Sequence, residues 1–117
     1  MSYDYKIFQV AGTKPATLEE VLEAAQPFES SLHARQMLSG CYPGIVWEDH
    51  GMTGTLQNEI GRFEFDVDEA LLAFGVVSLR TSHRQDVAAT HEFLRTLCAA
   101  GAICVVDEQT SELIGTT

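Results

Sequence analysis

Four histidines (His33, His50, His83 and His91) and three cysteines (Cys41, Cys98 and Cys104) are the side chains best suited to carry chemistry in this chain. Imidazole is the natural base and metal ligand near neutral pH. No two of the histidines stand in H-x-x-x-H spacing, however, and the cysteines contain no C-x-x-C pair. Glu48-Asp49-His50 sets three donors in a row, but adjacent side chains of an extended segment point to opposite faces and cannot close on one ion. His91 falls among Val87, Leu94 and Cys98 in a helical apolar stripe, where it packs at the edge of a core. Cys98 and Cys104 are flanked by apolar residues rather than by an activating base, and no G-x-S-x-G elbow occurs. The sequence therefore names no catalytic residue, no metal ligand set and no cofactor.

Two charged clusters remain. Arg80-Thr81-Ser82-His83-Arg84 is the densest basic run and is expected where a strand feeds a helix N-terminus. Free amides and the positive dipole end there would meet Arg80, Ser82, His83 and Arg84 around a carboxylate or phosphate. The plainer reading is a capping box, Ser82 to Gln85, with its arginines paired to nearby carboxylates. The acidic counterpart is Asp66-Val67-Asp68-Glu69 after Glu64. With Glu48 and Asp49 these residues are expected to form one negative patch on a hairpin, with exposed Tyr42 and Trp47 as aromatic anchors for a partner.

Net charge decides which partners are admissible. Seventeen Asp and Glu against seven Lys and Arg give −10 in 117 residues. A field of that sign repels nucleic-acid phosphates and anionic lipid and speeds encounters with basic proteins, so the expected partner is a basic protein, with no nucleic acid and no membrane. A hydrophobic content of 45% with 21% charged residues nevertheless marks a folded chain rather than a disordered one. At this length one α+β domain over 1–117 is expected. No apolar run approaches the roughly eighteen residues that span a bilayer, and the start lacks a basic run followed by an apolar one. An odd number of cysteines gives no disulfide framework and suits a reducing compartment. The expectation is an unprocessed cytoplasmic protein.

These clusters must be positioned by elements legible in the pattern. Residues 5–10 read as a strand. Thr17-Leu18-Glu19-Glu20 has capping-box form, and Leu18, Val21, Leu22 and Ala25 recur at helical spacing until Pro27 stops them. Residues 28–38 read as a second helical segment, residues 45–47 as a strand, and residues 51–61 as a glycine-punctuated loop or hairpin. Arg62-Phe63-Glu64-Phe65-Asp66-Val67 alternates strictly, the mark of a strand with one wet face. Residues 74–79 read as a central strand, 82–100 as a helix stopped by Gly101, 102–106 as the last main strand, and Leu113-Ile114 as a brief pairing after a polar turn. This order predicts a mainly antiparallel sheet with two helices on one face, a ferredoxin-like βαββαβ arrangement with an extra strand.

From Val76-Val77-Ser78-Leu79-Arg80 through the helix to Ile103-Cys104-Val105-Val106-Asp107-Glu108-Gln109-Thr110, roughly a third of the chain is similar to small bacterial immunity-type proteins of toxin–immunity systems. In those families the last strand often runs into a D-x-Q turn; Glu108 stands here where a proline is common. The resemblance implies a cytosolic antidote that binds one cognate toxin and does no chemistry, and it carries no binding residue across. Charge points the same way, because toxins acting on nucleic acids expose basic clefts that a carboxylate patch fills. The competing class is a ferredoxin-like homodimer, a small-molecule-binding protein or enzyme. It would place a pocket between sheet and helices, lined by Trp47, Phe63, Phe65 and Phe74, with Arg80 or His83 orienting an acidic ligand. A structural interaction module is the third.

Overall fold

The alternation of residues 62–66 sets Phe63 and Phe65 at zero exposure beside outward Arg62, Glu64 and Asp66, and the rest of the chain extends this two-faced pattern into a wide sheet. The computed structural model describes residues 2–10, 15, 17–48, 50–82, 84–99 and 103–114. Its strands are β1 (Ser2–Gln9), β2 (Val46–Trp47), β3 (Thr53–Gln57), β4 (Arg62–Asp66), β5 (Val76–Ser82), β6 (Ile103–Asp107) and β7 (Glu112–Ile114). Its helices are α1 (Leu18–Ala24), α2 (Ser31–Cys41), α3 (Glu69–Leu72) and α4 (Val87–Ala99). The strands form one antiparallel sheet in the order β2-β3-β4-β5-β1-β6-β7. The chain is thus α+β, but its sheet and helix set are larger than expected. The expected Gly101 stop lies outside the described residues, as does the predicted start of the last main strand at Ala102.

Two helices on one face is corrected to helices on both. Odd-numbered side chains of β1, Tyr5 and Ile7, join Val77, Leu79 and Val105 under Ala34 and Leu38 of α2 and Leu94 and Leu97 of α4. Phe8 joins Val76, Cys104 and Val106 on the opposite face, where Val21 of α1 covers them. The physical reason is that one end of the sheet is apolar on both sides. β6 shows this directly, since all five of its residues are buried. The one-turn α3 was missed in the sequence; Asp68 begins it by accepting the Ala70 amide at 2.8 Å on Oδ1.

Between α1 and α2 the chain passes round the end of the sheet. Pro27 prevents the helix from continuing, and backbone bonds hold the crossing segment. The Gln26 amide donates to the Gln9 carbonyl at 2.8 Å, and the Phe28 amide to the Leu72 carbonyl at 3.0 Å. Gly75, at φ +76°, lies so close that a Cβ there would stand 2.3 Å from the Gln26 carbonyl oxygen. Phe74 was assigned to the central strand, but the strand starts after this glycine and Phe74 is 73% exposed.

Inside the larger helix–sheet layer Asp107 is fully buried. Its Oδ2 accepts from Tyr3 at 2.6 Å and lies 3.2 Å from His91 Nε2. Its Oδ1 accepts the Gln109 and Thr110 amides at 2.9 and 3.3 Å, so the D-x-Q turn is built on this carboxylate. The hydrogen bond to Asp107, reinforced by burial, pushes the Tyr3 hydroxyl up to about 12. Burial pushes Tyr5 and Tyr42 upward as well.

Two outcomes follow. An unfolded tyrosine ionises near pH ~10. Each raised phenol therefore contributes stability that is full below that pH and is lost as pH rises through its folded value. A spectrophotometric titration should show no phenolate signal at pH ~10, and the signal should instead rise together with loss of the far-UV spectrum. Gly75→Ala, by combining a left-handed backbone with a steric clash, should cost about 3 kcal/mol in urea denaturation; an unchanged midpoint would refute the close passage.

Candidate functional site

α1 covers only one end of the second sheet face, and the uncovered remainder carries a cluster of charged side chains. Strand register sets these charges in rows. Across the sheet run Val46, Thr55, Glu64, Arg80 and Asp4, each opposite the next on the neighbouring strand. The Glu108 amide donates to the Asp4 carbonyl at 3.1 Å, which extends the row onto the turn after β6. The next row holds Thr53, Asp66, Ser78, Lys6 and Val106. Residues opposite one another on antiparallel strands share a face. Four carboxylates, Asp4, Glu64, Asp66 and Glu108, therefore stand around two cations, Lys6 and Arg80.

Both cations are engaged within the chain. Lys6 Nζ donates to Ser78 Oγ at 3.0 Å and lies 3.6 Å from Glu108 Oε1. Arg80 Nε lies 3.6 Å from Asp4 Oδ1. Arg62, at the rim, reaches Glu64 at 3.9 Å. Asp66 forms no ion pair with any of the described residues. A depression of about 180 Å³ opens between these side chains. It has the chemistry of a cation acceptor: carboxylates in excess, the local cations internally neutralised, and one carboxylate unspent.

The expected acidic residues divide among three places. Glu64 and Asp66 project from β4 onto this face. Asp68 is spent at the start of α3, and Glu69 is exposed in its first turn. Glu48 stands past the end of β2, with its carboxylate 2.8 Å from His50 Nε2. Asp49 lies outside the described residues. Of the two expected aromatic anchors, Tyr42 is corrected: it is 5% exposed, stacked 4.5 Å from the Phe93 ring, and donates its hydroxyl to the Phe93 carbonyl at 3.0 Å. A turn of helix beside an aromatic core drew it inward. Trp47 is half-buried, donates from Nε1 to Ser39 Oγ at 2.9 Å and packs its ring on the core under Arg35.

The basic cluster is also rearranged. Ser82 closes β5 and accepts the Arg84 amide at 3.2 Å, and the Gln85 side chain accepts the Ser82 amide at 3.3 Å. Only half of the expected box forms, since the Ser82 hydroxyl accepts from Arg84 rather than Gln85, and α4 begins later, at Val87. The Asp86 carboxylate accepts the Ala89 amide at 2.9 Å there, so the helix start expected to draw an anion already faces one. Arg80 points into the charged face, Arg84 is exposed, and His83 lies outside the described residues. Phe63 and Phe65 are sealed in the core while Phe74 is exposed, so these residues do not line one ligand pocket.

Asp4, Lys6 and Glu108 were missed. The signal for two of them was present, because Tyr3-Asp4-Tyr5-Lys6-Ile7 alternates as plainly as β4 does. Among the described residues no group of three His, Cys, Asp or Glu is placed to hold a metal ion, and no helix is long and apolar enough to cross a membrane. Compared with known proteins, the chain matches no protein-family model and no curated protein.

If the rows of charge are coupled across strands, Arg80→Gln should leave Asp4 and Glu64 facing the same gap. The expected loss is under about 1 kcal/mol, because exposed pairs are weak. The loss should be larger in about 0.01 M than in about 1 M salt. Urea denaturation at the two ionic strengths checks it; a salt-independent loss would mean the arginine acts through packing.

Proposed function

We propose that this protein is a non-catalytic binding module of the immunity type, which neutralises a basic bacterial toxin by seating the open face of its sheet on the toxin's cationic surface. The observation that carries the reading is the grouping of Asp4, Glu64, Asp66 and Glu108 on the part of a sheet face that α1 leaves open. Carboxylates held on paired strands are preorganised, so less side-chain freedom is lost on binding than from a loop. Their excess over Lys6 and Arg80, inside a chain of net charge −10, favours fast capture of a cationic partner.

The proposed fold assignment follows the same logic. The four strands β4-β5-β1-β6, with helical connections after β1 and β5, follow the ferredoxin-like βαββαβ order. The β2–β3 hairpin and β7 are then additions at the two edges. A cytoplasmic site of action accords with the three cysteines and with a target captured before it can act.

The test is capture and protection. Tagged protein expressed in its native background should bring down a basic protein in one-to-one ratio, and coexpression should relieve that protein's toxicity. Glu64→Lys with Asp66→Lys should weaken capture by roughly tenfold or more while the far-UV spectrum stays unchanged. Undiminished capture by the double variant, or emergence of the wild type alone, would refute the reading.

A further inference from the structure

The charged face does not end where α1 begins. On the far side of Lys6 the surface becomes an apolar groove of about 360 Å³, floored by Phe8 and Val76 and walled by Leu22 of α1, Leu71 of α3 and Phe74. Two of its wall residues are left largely in water: Leu22 is 59% exposed and Phe74 73%. Apolar side chains raised on a rim next to a charged field are the usual make-up of a protein contact. Among the described residues Lys6 is the sole polar side chain lining the groove, and it is already held by Ser78 and Glu108, which leaves no free polar group there to orient a small ligand.

We infer that this groove takes the apolar side of a basic amphipathic helix from the same partner, in continuity with the carboxylate face. This rests on the binding-module reading above and specifies what its partner must present. Two observations select the occupant. First, the floor is the face of paired strands, with Phe8 held between Val76 of β5 on one side and Cys104 of β6 on the other. No strand can be added there, so an incoming segment must satisfy its own backbone, as a helix does. Second, the surroundings are acidic. Glu19 and Glu23 are exposed on α1, Glu69 is exposed on α3, and Glu108 and Asp66 lie along the charged side. The complementary segment has apolar residues at i, i+3 or i+4, and i+7, flanked by Lys or Arg.

The probe is a synthetic helical peptide of leucines in that spacing with lysines elsewhere. Its controls are an isomer of the same composition in scrambled order and a version with glutamate for lysine. The ordered lysine peptide should bind one per protein, and Leu22→Ser or Phe74→Ser should each weaken it by roughly tenfold. Both positions are exposed, so the variants should fold. The scrambled and glutamate peptides should bind at least that much more weakly. Equal binding of the scrambled isomer, or indifference to both serine variants, would overturn the inference. So would a wild-type dimer that Phe74→Ser dissociates, because a second copy would then own the groove. The native partner separates this proposal from the one above. If the partner ignores Glu64→Lys with Asp66→Lys but is lost with Phe74→Ser, the charged-face reading fails and the groove stands. The reverse pattern sinks the groove alone.

Discussion

Gln26-Pro27-Phe28 carries the chain from one side of the sheet to the other, and the passage depends on residue 75 having no side chain. A methyl group there would occupy the place of the Gln26 carbonyl oxygen. The backbone bonds from Gln26 to Gln9 and from Phe28 to Leu72 fix the crossing at the end of β1 and β5. With the crossing fixed, α1 must lie on one face and α2 on the other. The seven residues of α1 are too few to cover a seven-stranded sheet. Its short length decides which side chains stay in water: Phe8 and Val76 are partly roofed, and Asp4, Glu64, Asp66 and Arg80 are not.

Local rules carried much of the architecture. Thr17 accepts the Glu20 amide at 3.2 Å, as its capping box predicted, and β4 alternates as written. Both are decided by neighbours within four residues. Phe74 misled because an apolar run does not say where a strand starts; the positive φ of Gly75 does, and glycine identity alone does not reveal it. Tyr42, expected as an exposed anchor, is buried because it stacks on Phe93, fifty-one residues away, a contact no local pattern shows. The second helical segment begins at Ser31 rather than Phe28, because Ser30 caps it and Phe28 is drawn into the core.

The candidate site was half legible for the same reason. Glu64 and Asp66 could be placed on a wet face from β4 alone. Their companions Asp4, Arg80 and Glu108 come from sequence positions far apart and meet only through strand register, which no local pattern encodes. Composition gave the sign of the surface but not its arrangement. Spread evenly, a charge of −10 would make a diffuse field; the sheet instead gathers four carboxylates on two adjacent rows, beside an apolar groove.

β1 sits in the middle of the sheet, paired with β5 and β6. Its partners, residues 76–82 and 103–107, lie far along the sequence. The full burial of Tyr5, Ile7 and Phe8 therefore waits on contacts of long sequence separation. Pairings of such sequence separation close late and slowly. Until β5 and β6 dock, β1 has no strand partner, and an unpaired apolar strand is open to aggregation.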